Sequence, residues 1–158
     1  MRRDSKESLR DLWRIPALDT LEKALDVLRE GVADRKILVI SNITDHPSNS
    51  TRVRMRDLGR LAASAVDMAV FVNKYGHYAK QTAIEYGMEE NRVFHFAELR
   101  QASIFLKENL RSGDLILLRG RVSDHMERIY LSQFSEISCM KKNCDLRRYC
   151  DFCEKLKG

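Results

Sequence analysis

The spacing of apolar residues along the chain changes repeatedly between two patterns. Segments with an apolar residue at every third or fourth position predict helices packed on one face, and short continuous apolar runs predict strands buried on both faces. Helices are expected at about 17–31, 51–65, 77–86, 98–110 and 123–134, and strands at about 36–42, 67–73, 92–96 and 115–118. Helix and strand therefore alternate along most of the chain.

Capping residues sharpen the ends of two of these helices. The first helix is expected to begin properly at Thr20, with Gly31 as a plausible C-terminal cap. Ser123 or Asp124 is expected to cap the last helix, directly after the last strand. That arrangement would place a helix N-terminus at the end of a strand.

The alternation predicts the fold class. Four strand-and-helix units with short joins require parallel strands and right-handed helical crossovers. We therefore expect an α/β fold with a Rossmann-like doubly wound, mostly parallel sheet flanked by helices. Residues 15–137 form this domain, 1–14 read as a flexible arm or linker remnant, and 138–158 form a small four-cysteine tail.

Composition narrows the class of protein. The chain has 158 residues, of which 44% are hydrophobic and 32% charged, as expected of one ordinary globular domain. It has no apolar run long enough to span a membrane and no secretory leader, so we expect a cytoplasmic protein with reduced thiols and no membrane partner.

The net charge of +5 fits either an affinity for anions or a solvated surface with a modest basic excess. Two basic groups are candidate nucleic-acid contacts: the stripe of Arg52, Arg56 and Arg60, and the basic-aromatic segment at 74–78. Opposite charges are interspersed almost everywhere, and a solvated helix face explains the stripe better. A nucleic-acid partner is therefore not expected.

The segment at 113–129 carries the clearest candidate for ligand binding. It predicts a turn, a buried strand and a loop in which Arg119 and Arg121 flank Gly120. In open α/β sheets, ligands bind beyond the carboxyl ends of strands, and an arginine fork suits a carboxylate or phosphate. The alternative is a surface loop whose arginines pair with Asp124 and Glu127.

The loop after the first strand offers further candidates. Asn42, Thr44 and Asp45 follow that strand and are expected to contact ligand at the same edge, although ordinary turn chemistry explains them equally well. His46 and His125 are candidate proton shuttles, because histidine as a residue type titrates near neutrality. A surface or capping role is the better interpretation of each, and no catalytic residue is assigned.

Five runs taken in order resemble successive segments of the C-terminal domain of Mur ligases. They lie at 20–28, 35–40, 55–63, 67–72 and 113–127. The last run resembles the Val-Leu-Val-Lys-Gly-Ser-Arg signature, followed by Met-Glu, of the members that add D-alanyl-D-alanine to UDP-N-acetylmuramoyl-tripeptide. Here Arg119 and Arg121 replace the lysine and the serine.

The resemblance implies a part in ATP-dependent amide ligation for peptidoglycan biosynthesis. In those ligases this domain closes over a central ATPase domain and brings anion-binding side chains to the nucleotide and the incoming amino acid. The chain has no Gly-x-x-x-x-Gly-Lys-Ser/Thr loop, so ATP and Mg²⁺ are expected only together with a central domain. Its expected partners are that ATPase domain and an anionic small-molecule substrate.

The tail holds all four cysteines, Cys139, Cys144, Cys150 and Cys153, in the spacing C-x4-C-x5-C-x2-C. Four thiolates suit a structural zinc ion, and the last pair has a common knuckle spacing. Reduced or redox-paired thiols and an iron–sulfur cluster remain open alternatives. The Mur ligases do not generally carry such a tail.

Two functions follow from the sequence. The first is the C-terminal domain of a Mur-ligase-like amide ligase that contributes nucleotide and amino-substrate contacts and is not competent alone. The alternative is a non-catalytic module that binds a nucleotide or a protein and whose tail is stabilised by zinc.

Overall fold

The computed structural model describes residues 20–43, 46–141, 144, 150 and 153–157. Its helices are α1 (Leu21–Glu30), α2 (Thr51–Ala63), α3 (Gly76–Glu85), α4 (Leu99–Asn109) and α5 (Glu127–Ser132). Its strands are β1 (Arg35–Ile40), β2 (Met68–Val72), β3 (Val93–Phe96) and β4 (Asp114–Arg119). Short 3₁₀ turns span Glu90–Arg92, Val122–Asp124 and Glu154–Lys157. The predicted arm at 1–14 lies outside the described residues.

The four described strands form one parallel sheet in the order β3-β2-β1-β4. The predicted Rossmann-like doubly wound fold is therefore confirmed. The chain steps outward from β1 to β3 and then returns to the other side of β1 for β4. The ends of β1 and β4 consequently lie at a topological switch point, where folds of this class bind ligands.

Alternating side chains of the central strands build the two halves of the core. Leu38 and Ile40 point to one face, where they pack with α1, α2 and α3. Ile37 and Val39 point to the other face, where they pack with α4 and α5. All four side chains are almost fully buried, so the continuous apolar run of β1 reflects burial on both faces.

Local contacts explain the ends of several elements. Thr20 caps α1 as predicted, because its hydroxyl accepts from the Lys23 amide. Arg35 and Asp114, the first residues of β1 and β4, form a two-pronged ion pair at 2.8 and 2.7 Å. This pair fixes the register of the two strands at the end opposite to the switch point.

The last strand and helix differ from the prediction. β4 is half-buried along its whole length because it is the outer strand of the described sheet. Neither Ser123 nor Asp124 caps a long helix: they belong to a 3₁₀ turn, and His125 follows in the left-handed conformation with a φ of 49°. α5 then begins at Glu127 and has only six residues.

The α-helices in the described part of the chain have 6 to 13 residues. In this part of the chain no helix combines the length and the apolar character needed to cross a membrane.

Candidate functional site

A cavity of about 450 Å³ opens at the carboxyl ends of the four strands. It is lined by residues that follow each strand, by the start of α4 and by the beginning of the tail. The polar residues of its lining are Ser41, Asn42, Asn73, Glu98, Arg100, Gln101, Arg121, Ser123, Asp124, His125 and Lys141. The cavity therefore lies where parallel α/β sheets bind ligands.

Asn73 holds the ends of three strands together. Its side-chain amide donates to the Ser41 carbonyl, and its side-chain oxygen accepts from the Tyr75 amide at 2.6 Å. Its own carbonyl lies 2.7 Å from Nε2 of His95 on β3. One asparagine thus ties β2 to β1 and to β3, which makes the floor of the cavity a fixed surface.

The loop after β4 is tied to the end of β1. The carboxylate of Asp124 accepts from the Ser41 hydroxyl at 2.5 Å and from the Arg121 amide at 3.0 Å. Gly120 allows this approach, since a Cβ there would lie 2.4 Å from Ser41 Oγ and 2.5 Å from Met126 Cγ. A glycine between the two arginines is therefore required by packing against β1.

Arg121 lines the cavity and forms an ion pair with Asp124, with Nη2 3.1 Å from Oδ1. The alternative expected from the sequence was that the arginines of this loop pair with Asp124 and Glu127. It is confirmed for the pair of Arg121 and Asp124. The guanidinium of Arg121 remains half-exposed, with 56% of the side chain accessible. Arg119 ends β4 beside Ile40 and is not among the residues that line the cavity.

The charges around the cavity favour an anionic or zwitterionic ligand. Arg100, Arg121 and Lys141 contribute positive charge, and Glu98 and Asp124 contribute negative charge. Asp124 and Arg121 form a pair. Beyond that pair, the lining has two cationic side chains, Arg100 and Lys141, and one carboxylate, that of Glu98. Glu98 is the N-cap residue of α4, so its carboxylate lies at the positive end of that helix and offsets part of the helix charge there.

Two buried polar atoms of residues in the cavity lining have no hydrogen-bond partner among the described residues. They are Oδ1 of Asn42 and Nε2 of His125. Buried polar groups are normally paired, and exceptions call for an explanation. A polar ligand in the cavity would supply one.

A second, buried cluster lies beside the cavity and shares His125 with it. His125, Glu127, Arg128 and Cys150 are 2, 5, 1 and 4% exposed. Nδ1 of His125 lies 3.3 Å from Oε1 of Glu127 and 3.4 Å from Sγ of Cys150. The same carboxylate oxygen accepts from the Cys150 amide at 3.0 Å, so the cluster joins the tail to the loop that follows β4.

Arg128 completes this cluster from the side of α5. Its Nε donates to Sγ of Cys150 at 3.1 Å, and its Nη1 donates to the carbonyl of Lys141 at 2.7 Å. Burial raises the pKa of the Cys150 thiol to about 11, against the opposing effect of the hydrogen bond from Arg128. Without a bound cation, Cys150 is therefore a neutral thiol near pH 7 and a poor nucleophile.

The four-cysteine zinc site stays a prediction. Backbone hydrogen bonds do bring parts of the tail together, because Ser138 and Cys139 both donate to the Leu156 carbonyl and Cys153 donates to the Cys150 carbonyl. Cys150 is buried and the other three cysteines are half-buried, all as free thiols. In the described part of the chain, the side chains close enough to share a metal ion are His125, Glu127 and Cys150.

The remaining sequence candidates fall into two groups. Thr44 and Asp45 lie outside the described residues, so their predicted contact with ligand stays a prediction. His46 is engaged within its own region: Nε2 lies 2.8 Å from Asp57, and Nδ1 accepts from the Ser48 amide at 3.0 Å. His46 therefore fixes its own loop and is only 13% exposed, which differs from the surface or capping role expected from sequence.

The arginine stripe on α2 has local partners. Arg56 lies 3.9 Å from Glu85, Arg60 lies 3.8 Å from Asp57, and the guanidinium of Arg52 lies 5.3 Å from the centre of the Tyr78 ring. These contacts favour a solvated helix face, as the sequence indicated.

Sequence reasoning missed the residues that the other strands and the tail bring to the cavity. Asn73 and Glu98 follow β2 and β3, and Lys141 comes from the tail. The rule that placed Asn42 and Arg121 at the carboxyl edge also applies here, because Asn73 ends a predicted strand and Glu98 begins the predicted helix after the next strand. Lys141 had no comparable signal.

Comparison with known families identifies the domain that carries this cavity. Residues 17–122 match the family described as Mur ligase, glutamate ligase domain. No curated protein matches the chain. The matched region includes all four described strands and ends at residue 122, within the loop after β4 and before the residues of the buried cluster.

Proposed function

The chain belongs to the Mur ligase family through its glutamate ligase domain, and on that premise we propose that its carboxyl-edge cavity binds the amino substrate of an ATP-dependent amide ligase. In such a reaction the γ-phosphoryl group of ATP passes to a carboxylate, giving ADP and an acyl phosphate. The amine then attacks the acyl carbon, phosphate leaves, and the amine gives up a proton as the amide forms. This domain would deliver the amine.

The observation that carries the proposal is the charge arrangement of the cavity. Arg100 and Lys141 suit a substrate carboxylate, and Glu98 suits an ammonium group. Asn42 and His125 each offer a buried polar atom without a partner among the described residues.

ATP would be held by a central domain, since residues 1–158 contain no phosphate-binding loop of the Gly-x-x-x-x-Gly-Lys type. Closure of this domain over that one would bring Arg121, half-exposed at the rim of the cavity, towards the nucleotide or the acyl phosphate. Closure also excludes water, which protects the acyl phosphate from hydrolysis. The proposed partner is therefore an ATPase domain of a Mur-like ligase.

Calorimetric titration of the full chain with L-glutamate and with D-alanyl-D-alanine tests this function. We expect at least one of them to bind, and N-acetyl-L-glutamate, which lacks a free amine, to bind less tightly than L-glutamate if glutamate is the ligand. Arg100→Ala should weaken binding about tenfold, as expected for a lost charge-assisted hydrogen bond. The control Arg92→Ala removes an exposed arginine that is not among the cavity's lining residues and should leave binding unchanged.

Two results would contradict the proposal. One is equal weakening by Arg92→Ala and Arg100→Ala, which would show only a general effect of charge. The other is binding of ADP with no binding of either amine, which would favour the non-catalytic nucleotide-binding module.

A further inference from the structure

The buried cluster of His125, Glu127 and Cys150 combines three kinds of metal-binding atom. An imidazole nitrogen, a carboxylate oxygen and a thiol sulfur lie within 4.8 Å of one another, and all three residues are buried. His125, a left-handed loop residue, and Glu127, the first residue of α5, lie two positions apart, and Cys150 comes from the tail. The protein thus brings together, away from solvent, the donor types that zinc prefers.

Two of the three distances between these atoms match those around a single tetrahedral ion, and the third, from Oε1 of Glu127 to Sγ of Cys150, is at most 4.8 Å. With ordinary zinc bond lengths, tetrahedral geometry separates a nitrogen from an oxygen ligand by about 3.4 Å and a nitrogen from a sulfur ligand by about 3.6 Å. The observed separations are 3.3 Å from Nδ1 of His125 to Oε1 of Glu127 and 3.4 Å from Nδ1 to Sγ of Cys150. Only small shifts would be needed to admit the ion.

The surroundings suit a bound cation. Arg128 donates to Sγ of Cys150, a contact of the kind that orients a ligand and stabilises a metal-bound thiolate. The Arg128 side chain is itself fixed by the Lys141 carbonyl. One thiolate and one carboxylate balance a divalent ion, and the remaining charge is the single guanidinium.

We propose that His125, Glu127 and Cys150 bind one zinc-class divalent cation that fastens the tail to the loop after β4. Three protein ligands leave a fourth position for water. Because His125 and Lys141 both line the cavity, the ion would hold part of the ligand site in place. This metal site does not depend on the amide-ligase function. It and the four-cysteine site both need Cys150, so the two sites compete for that residue.

The test is metal content of the purified full chain, loaded with Zn²⁺ under reducing conditions and measured by mass spectrometry. We expect one equivalent in the wild type. His125→Asn, Glu127→Gln and Cys150→Ser should each weaken zinc binding at least tenfold, whereas Cys144→Ser, outside the cluster, should bind as the wild type does. Asparagine tolerates the left-handed backbone at this position, where φ is 49°, and circular dichroism checks that each variant folds.

Cobalt substitution gives an independent readout, because the thiolate-to-cobalt absorption rises with the number of sulfur ligands. We expect the intensity of one thiolate, lost in Cys150→Ser and retained in Cys144→Ser. Zinc loss in Cys144→Ser with retention in His125→Asn and Glu127→Gln would overturn the proposal and support the four-cysteine site. A wild-type chain that binds no zinc would overturn it as well.

Discussion

The cavity and the buried cluster meet at His125, yet the molecule builds them in different ways. The cavity is open, and most of its polar lining comes from positions where parallel strands end. The cluster is closed to solvent and depends on one residue of the tail, Cys150, reaching back to His125 and Glu127. The fold alone therefore specifies most of the cavity, whereas the cluster needs the tail in place.

The largest effect is expected from Arg128→Met, which keeps most of the volume of a side chain that is 1% exposed. The change leaves Sγ of Cys150 and the carbonyl of Lys141 without their donor. Because each buried group left unpaired costs about 1–3 kcal/mol, we expect a loss of about 2–4 kcal/mol in the free energy of unfolding by urea. Arg92→Met, at an exposed ion pair, should change it by less than about 1 kcal/mol. Equal effects would mean that the cluster does not hold the tail.

A smaller effect is expected from Asp124→Ala, on the side of the cavity. The substitution removes the acceptor for the Ser41 hydroxyl and the Arg121 amide, at a cost of about 1–2 kcal/mol. Asp26→Ala is a matched control, since Asp26 also pairs with an arginine three residues away but is 62% exposed. We expect weaker amine binding and unchanged zinc affinity in Asp124→Ala. A parallel loss of zinc affinity would show that cavity and cluster are one unit.

The smallest effect on stability is expected from Lys141→Ala, because its side chain is exposed and its carbonyl remains available to Arg128. The free energy of unfolding should change by less than about 0.5 kcal/mol. Amine binding measured by calorimetry should weaken about threefold to tenfold through the lost charge. Lys107→Ala, an exposed lysine on α4 that does not line the cavity, should leave binding unchanged. Identical binding by both variants would mean that the tail is not part of the ligand site.

Much of the fold could be predicted because it follows from periodicity. The four strands and the helices α1 to α4 lie close to their expected positions, and short joins between them leave a parallel sheet as the natural solution. The structure of the segment just beyond the matched region was harder to predict from the sequence. Asp124 was expected to cap a helix, but its carboxylate instead bonds to Ser41, which is 83 positions earlier in the chain.

The candidate site was predictable only in part, because some of its contacts join residues that are far apart in the chain. Asn42 and Arg121 line the cavity because the ends of parallel strands meet at one edge. The cluster depends on contacts between residues 22 to 25 positions apart, joining a loop and a helix to an irregular tail. Cysteine spacing indicated a metal site in that tail, but it carried no information about His125 or Glu127.

If the carboxyl-edge cavity binds the amino substrate, as we propose, nuclear magnetic resonance can locate that site directly. The measurement is a titration of the ¹⁵N-labelled full chain with L-glutamate and with D-alanyl-D-alanine, following every backbone amide. We expect saturable shifts concentrated at Asn42, Asn73, Arg100 and Lys141, and none along the exposed face of α2. Shifts confined to other surfaces, or no saturable shift with either amine, would contradict the proposal.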